Sequence, residues 1–461
     1  MRRIRERAKL STREQLCLTV LLSVPAILAQ LSTIVMFYID DAMVGSLGAR
    51  ATASIGIIAT TLWLFWSIIS CVATGFSVQV AHAVGGGDLV RARAVFRQSL
   101  VSALVVSVVT MAVGFAVAAP LPLWLGGNGD IAGDASLYFL IFILATPMAM
   151  TDMLVSAMLR CAGNIKIPSC ANVAMCVLDV VFNFFLIFPT RVVALCGVDV
   201  PLPGAGLGVM GAAIGTGVAE GVVAVFLLWY ACTRQPELRL RGSGGSFCPE
   251  GVVLRRAFSI GGPVLVQRVL MNAAQIVTTV IVAPLGAVSI AANALGITAE
   301  SVCYMPGYGI GEAATTLVGQ SYGAGRKKLT ERFAWMTTLL AVFVMTVMGV
   351  VMYVCAPLMM SSLTPDEAVR QLGTECLRIE AWAEPGFAAS IVAMSCFVGI
   401  GDTRVPALMN LFSMWFVRVT LAALLAPEYG LRGVWMAMAV ELTFRGLIFL
   451  VRMRKLNHNN I

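Results

Sequence analysis

Two small groups of polar side chains interrupt long apolar stretches and have the chemistry to bind a cation. Asp179 lies about midway along one apolar stretch, and Asn183 follows one helical turn later on the same face. Asp40 and Asp41 end the first apolar stretch of the chain. A carboxyl group that loses its hydration favours its neutral form, and a second carboxylate nearby strengthens this preference. These residues could therefore take up a proton near neutral pH, or coordinate a monovalent cation together with amide and backbone oxygens.

Each group also has a structural interpretation. Asp179 could hydrogen-bond to neighbouring helices simply to hold their packing, whereas Asp40 and Asp41 could lie at the membrane interface. Ionisable side chains inside membrane-spanning segments are costly and rare, which favours a functional role for Asp179. For the acidic pair the sequence leaves both interpretations open.

Other charged residues within apolar stretches are expected to form buried ion pairs for the most part. The acids are Asp152, Glu220, Glu300, Glu312 and Glu441, and the bases are Arg268, Arg418 and Arg445. Glu380 and Glu384 lie near the start of the tenth apolar stretch, where acids suit the positive end of a helix dipole.

The apolar stretches themselves are long enough to cross a bilayer. The chain is 59% hydrophobic and 12% charged, with a mean hydropathy of +0.88. Spanning a hydrocarbon core about 30 Å thick takes about 20 helical residues. Twelve such stretches lie near 15–39, 52–83, 96–118, 134–158, 167–188, 207–231, 257–283, 289–317, 333–359, 374–397, 404–426 and 431–452. We predict an all-α integral membrane protein with twelve transmembrane helices.

The distribution of basic residues predicts the orientation of these helices. Most of the 32 Lys and Arg residues fall on one side of the membrane when both termini are cytosolic. The net charge of +8 therefore needs no nucleic acid partner. We expect a multi-pass protein of the inner, or plasma, membrane that contacts the lipid bilayer, has both termini in the cytoplasm and functions as a monomer.

Landmarks in the two halves of the chain repeat at a constant offset. Pro25 and Pro263 lie 238 residues apart, and so do Gly85 and Gly323. Six spans per half place both halves in the same orientation, as in transporters built from parallel repeats. We predict a cytosolic arm at 1–14, a six-helix lobe at 15–232, a cytosolic linker at 233–256, a second six-helix lobe at 257–452 and a cytosolic tail at 453–461.

Several motifs give the sequence a resemblance to the multidrug and toxic compound extrusion (MATE) transporters over nearly all of residues 15–452. Each motif is loose, but their order and spacing are specific. The matching segments are Pro25 to Gln30, Asp40 to Gly48, Gly163 to Pro168, Gly208 to Ala213, Leu317 to Gly325 and Gly401 to Pro406. The resemblance implies two six-helix lobes in a V and the exchange of a drug or metabolite for H⁺ or Na⁺.

The resemblance also implies roles for individual residues. In that family an Asp five residues before the first-motif Gly couples the ion, and Asp40 occupies this position. The chain looks closest to the DNA-damage-inducible, proton-coupled branch, which tends to carry Asn and then Asp on the fifth helix; here Asp179 precedes Asn183. The sodium-coupled branch uses acids in the second lobe on helices 7 and 10, whereas here helix 7 offers no acid and the middle of helix 10 offers none either. We therefore favour protons over sodium as the coupling ion.

A polyspecific cavity favours adaptable polar, aromatic and methionine side chains. We expect the cavity for a small-molecule substrate to include Gln30, Tyr38, Gln267, Met271 and Asn272. No organic cofactor or metal site is expected, since the chain has two histidines and no C-x-x-C pair among its twelve cysteines.

Three alternatives remain. A flippase for lipid-linked cargo on the same scaffold would need many basic residues for pyrophosphate, and only Arg268 and Arg418 are spare. A membrane-embedded enzyme would need a clustered His, Asp and Glu motif, which the chain does not show. A passive channel suits a symmetric filter better than one asymmetric acid site.

Overall fold

A computed structural model describes residues 10–125, 129–195, 198–240 and 244–455 of the chain. The first half of the sequence forms six long helices: α1 (Thr12–Gly45), α2 (Ala49–Gly85), α3 (Leu89–Ala118), α4 (Gly129–Cys161), α5 (Lys166–Ile187) and α6 (Val209–Thr233). A single helical turn, Leu121–Trp124, lies between α3 and α4.

The second half begins with α7 (Gly251–Val282), which continues into a 3₁₀ turn at Ala283–Leu285. The remaining helices are α8 (Ala287–Gly323), α9 (Lys327–Leu363), α10 (Glu367–Ala381), α11 (Glu384–Ile400), α12 (Arg404–Tyr429) and α13 (Leu431–Lys455). The middle of α12, Ser413–Val419, is a π-helical segment.

The helix lengths confirm the prediction of an all-α membrane fold with about twelve spans. Within the described residues, eleven helices are long and apolar enough to cross a bilayer. Helices α10 and α11 meet at a bend of 58° and make a twelfth span if they are taken together. Helices satisfy their own backbone hydrogen bonds, which a hydrocarbon environment requires. Pro25 and Pro263 both lie inside helices and do not end them.

A short hairpin follows α5 and was not predicted. Strands β1 (Pro189–Leu195) and β2 (Val198–Ala205) pair antiparallel, with Val193 opposite Val200. The Thr190 hydroxyl donates to the carbonyl of Gly204 at 3.2 Å. The segment lies between the apolar stretches near 167–188 and 207–231, which predict helices and not strands.

The described residues form two compact units. The first unit comprises Ser32–Val80 and Leu89–Phe258. The second comprises Ser259–Ile461, Ala81–Asp88 and Met1–Leu31, in so far as these ranges are described. The predicted lobes at 15–232 and 257–452 follow the sequence repeat, and their boundaries stay a prediction.

Each unit has its own apolar core. In the first unit Phe65 packs edge-on against Phe139, with ring centres 5.6 Å apart. In the second unit Trp435 is buried, and its indole nitrogen donates to Asn293 Oδ1 at 3.0 Å. A buried Trp is stable where its N–H finds such an acceptor.

Within the second unit, the C-terminal ends of α2 and α8 pack backbone to backbone through two glycines. A Cβ atom at Gly85 would collide with the carbonyl of Gln320, and one at Gly323 would collide with the carbonyl of His82. Gln320 lies 238 residues after His82, which is also the spacing of the glycines. The contact is therefore reciprocal between the two sequence repeats, and it requires glycine on both sides.

Candidate functional site

In the first unit a single amide joins the two predicted acids. Asn183 Nδ2 donates to Asp40 Oδ1 at 2.9 Å and to Asp179 Oδ2 at 3.1 Å. Asp40 lies in the last part of α1, and the other two residues lie one turn apart on α5. The structure thus brings together three of the four residues that the sequence indicated as cation-coupling candidates.

Packing between helices fixes the position of this amide. Gly215 of α6 lies directly against Asn183, and a Cβ atom at this glycine would collide with Asn183 Oδ1. A second amide on α5, that of Asn172, donates to the Thr33 hydroxyl on α1 at 3.0 Å. Two side-chain bonds therefore hold α5 against α1, one to a carboxyl group and one to a hydroxyl.

The network is largely removed from solvent. Asp179 is 0% exposed and Asn183 is 1% exposed, whereas Asp40 is half-buried. An isolated buried carboxylate is costly, and the two carboxyl groups here share the amide of Asn183 as a neutral donor. Uptake of a proton on either of them would remove one charge from this site.

Asp41 and Tyr38 lie on α1 near this network but have different surroundings. Asp41 is exposed and makes no hydrogen bond to Asn183 or Asp179 in the described structure. Tyr38 lines an open pocket of about 560 Å³ in the first unit. The other lining residues are mostly apolar: Val35, Ile39, Ala42, Met43, Ser46, Phe184 and Phe188.

The other predicted cavity residues belong to the second unit. Gln30 Nε2 donates to Glu312 Oε1 on α8 at 3.2 Å. On α7, Gln267 is buried and contacts the sulfur of Met271 at 3.5 Å, while Asn272 is exposed. Their participation in substrate binding stays a prediction.

The second unit also holds a group of buried charged residues. Glu441 and Arg445 form the predicted type of buried pair at 3.0 Å, and Ser413 donates to Glu441 at 2.5 Å. Arg418 is buried too, with its guanidinium against the sulfurs of Met414 and Met438.

The structure places Glu380 and Glu384 on two different helices, whereas the sequence analysis placed both near the start of one helix. Glu384 does begin α11, but Glu380 lies at the end of α10, the unfavourable end of a helix dipole for an acid. Both are fully buried, and their four carboxyl oxygens have no hydrogen-bond partner among the described residues. Pro385, in the first turn of α11, is the sequence signal for this break.

Comparison with known proteins identifies the family. The MatE family model matches residues 25–185 and again residues 263–424. The chain belongs to the MatE family. The two matches begin 238 residues apart, the same offset as the prolines and glycines of the repeat. As a MatE protein the chain is a multi-pass membrane transporter and not an enzyme.

Individual relatives support this assignment over most of the chain. A Thermotoga maritima protein named probable multidrug resistance protein NorM is 25% identical over 418 residues, which cover 89% of this chain and 86% of that protein. A Burkholderia pseudomallei protein of the same name is 26% identical and covers 92% and 89%. The branch within the MatE family stays a prediction.

A solved structure supports the fold. A crystal structure of MATE in complex with MaL6 matches with a TM-score of 0.88 at 18% identity. The match covers 96% of this chain and 98% of the chain in the crystal structure.

Proposed function

We propose that this MatE protein is a secondary active antiporter of the plasma membrane, which exports small organic compounds in exchange for protons. The observation that carries the proposal is the bridge from Asn183 to Asp40 and Asp179. The names of the relatives, which refer to multidrug resistance, support varied organic compounds as the cargo.

The geometry of the bridge favours a proton over a sodium ion. A sodium ion would need oxygen ligands pointing at one position, and here an N–H donor lies between the two carboxyl groups. In the described structure no three His, Cys, Asp or Glu side chains come close enough to hold a metal ion. A proton needs only one carboxyl oxygen, and the amide remains bonded to the other.

Protonation of Asp40 weakens the hydrogen bond that holds α1 against α5. A neutral carboxyl group is a weaker acceptor than a carboxylate, so the bond from Asn183 loses strength when Asp40 binds a proton. The packing of α1 then changes, and substrate is released outward by alternating access. Substrate and proton compete, because the binding of each lowers the affinity for the other. In this arrangement both termini lie in the cytoplasm and one chain suffices for transport.

Purified protein in lipid vesicles tests the proposal. A pH gradient with no sodium gradient is expected to drive export of a fluorescent organic cation, and a sodium gradient with no pH gradient is not. Export that is driven only by the sodium gradient would show that the coupling ion is sodium and not the proton. Export driven equally well by a pH gradient in wild type and Asp40→Asn would show that Asp40 is not the coupling acid.

A further inference from the structure

Helix α6 of the first unit packs closely against α4 and brings two acids of the membrane-spanning segments together. A Cβ atom at Gly221 of α6 would collide with the sulfur of Met148 on α4. Glu220 directly precedes this glycine, and Asp152 follows Met148 by one helical turn on the same face of α4. The carboxyl groups of Glu220 and Asp152 interact electrostatically across this contact.

Helix α6 also packs against α5, one turn before Glu220. Gly215 lies against Asn183, and the hydroxyl group of Thr216 lies near the carboxyl group of Asp179. Glu220 follows Thr216 by one turn on the same face, and it interacts electrostatically with Asp179. Glu220 is therefore located between the acid of α4 and the bridge made by Asn183.

These three acids have little solvent and few partners. Glu220 is 9% exposed and forms no hydrogen bond or ion pair with any described residue, although a buried ion pair was expected. One oxygen of Asp152 and one of Asp179 are buried without a hydrogen-bond partner among the described residues. The other titratable group near Glu220 is the phenol of Tyr138 on α4. Buried carboxylates this close together cannot all be ionised at once, so the three acids share protons.

A polar row on α4 continues from Asp152 towards the end of that helix. Ser156 and Arg160 follow at intervals of four residues, so the three side chains lie on one face. The Ser156 hydroxyl and the Arg160 guanidinium both interact with the Asp152 carboxyl group. Asp152 lies nine residues before Cys161, the last residue of α4, which corresponds to about 14 Å along the helix. This end of α4 faces the cytoplasm in the orientation proposed above.

We propose that Glu220 and Asp152 relay protons from the Asp40 and Asp179 bridge to the cytoplasm. The inference rests on the proposed proton-coupled export and adds the route by which the proton leaves the site. Asp40 interacts electrostatically with Asp179, so a proton bound at Asp40 can pass to Asp179. Asp179 then protonates the Glu220 carboxylate, Glu220 protonates Asp152, and Asp152 releases the proton to cytosolic water. Each transfer breaks one O–H bond and forms another, and no further reactant is needed.

Hydroxyl groups lie beside both ends of this relay. Thr216 lies near Asp179, and Ser156 lies near Asp152. A hydroxyl group both donates and accepts a hydrogen bond, so it can pass a proton between carboxyl groups that do not touch. The positive charge of Arg160 compensates the carboxylate that remains when Asp152 releases its proton.

Purified protein in lipid vesicles tests the relay with two measurements. Export of a fluorescent organic cation under a pH gradient requires proton release, whereas exchange of labelled for unlabelled cation at equal pH on both sides does not. Glu220→Gln and Asp152→Asn are each expected to slow pH-driven export about tenfold, because an amide cannot bind and release a proton. Both variants are expected to keep the exchange rate of wild type, which also shows that they are folded.

A solvent isotope comparison separates a relay from a packing role. When proton transfer limits the remaining export of Glu220→Gln, heavy water slows this variant more than it slows wild type. Glu220→Asp retains a carboxyl group and is expected to export faster than Glu220→Gln under the same pH gradient. Glu250→Gln is the matched control: it makes the same change at an exposed acid after α6, and it is expected to change neither export nor exchange.

Two results would overturn the relay while leaving the proposed function intact. One is wild-type pH-driven export in both Glu220→Gln and Asp152→Asn. The other is an equal loss of export and exchange in these variants, with the same effect of heavy water as in wild type. Wild-type export that does not respond to a pH gradient would contradict the proposed function itself, and the relay with it.

Discussion

Asn183 on α5 donates a 2.9 Å hydrogen bond to Asp40 on α1, although the two residues lie 143 positions apart in the sequence. The bond joins a neutral, permanently available donor to an acid whose acceptor strength depends on its protonation state. Under the proposed proton coupling, the strength of this contact between the two helices changes when Asp40 binds a proton.

Replacing Asp40 by Asn should reduce export driven by a pH gradient at least tenfold, because an amide cannot bind and release a proton. Initial rates of dye export from vesicles measure the effect at several imposed gradients. The wild-type rate should rise with the gradient, and that of Asp40→Asn should not. Asp134→Asn is the matched control: Asp134 pairs with Arg50 at the surface, and such pairs contribute little.

Asp41→Asn should keep most of the pH-driven export, since Asp41 is exposed and lies outside the bridge. The same vesicle assay measures it. A loss as large as that of Asp40→Asn would show that both acids take part in coupling.

Asn183→Leu should both destabilise the protein and uncouple export from the pH gradient. Two acids lose their shared donor, and each unsatisfied buried group costs about 1–3 kcal/mol. Thermal unfolding in detergent and vesicle export are measured together. Asn172→Leu provides the comparison, because it removes a side-chain hydrogen bond between the same two helices whose acceptor is a hydroxyl group and not a carboxyl group. Equal loss of coupling in both variants would assign Asn183 a packing role only.

Gly215→Ala should displace the amide of Asn183, because the new methyl group would occupy its position. Overpacking of this kind costs about 1–3 kcal/mol of stability. Export should fall as well, since the displaced amide can no longer reach both acids. Gly56→Ala adds the same methyl group to a helix where nothing lies within 4 Å, and it should change neither unfolding temperature nor export.

Arg445→Met should destabilise the second unit by about 3–5 kcal/mol, the typical result of leaving one buried partner without the other. The double variant Arg445→Met with Glu441→Met should recover much of this loss. Unfolding temperatures of the two single variants and the double variant complete the cycle. Additive losses would mean that the pair at 3.0 Å makes no net contribution as a pair.

Gly85→Ala and Gly323→Ala should each destabilise the protein, because the colliding atoms belong to the backbone and cannot rotate away. The two substitutions affect one helix crossing, so the double variant should lose less stability than the sum of the single variants. Gly133→Ala, with nothing within 4 Å, serves as the control in thermal unfolding.

The sequence predicts the number of spans, the repeat and the family because these depend on periodic, long-range features of composition. It also identifies Asp40, Asp179 and Asn183, since polar residues stand out in an apolar background. It cannot show that one amide joins both acids, because that depends on how close α1 and α5 approach. The position of that amide also depends on Gly215 of α6, where any side chain would collide with Asn183.

The second unit shows why other features escape prediction. Hydropathy treats residues 374–397 as one stretch, whereas the chain bends by 58° between α10 and α11. Pro385 signals the break, but its consequence, the burial of Glu380 and Glu384, depends on packing between elements. Arg268 and Arg445 both lie within apolar stretches of the sequence, and only the structure shows that Arg268 is exposed whereas Arg445 is buried in a pair with Glu441.

The reciprocal contact of Gly85 and Gly323 has the form of an isologous dimer interface, in which residue i meets residue j and j meets i. In this chain the contact is intramolecular, whereas two identical six-helix proteins would make the same contact around a two-fold axis. In such a dimer one mutation alters both sides of the contact at once. In a single chain that contains both repeats each side can change alone, and the equivalent positions 82 and 320 indeed hold different residues, His and Gln.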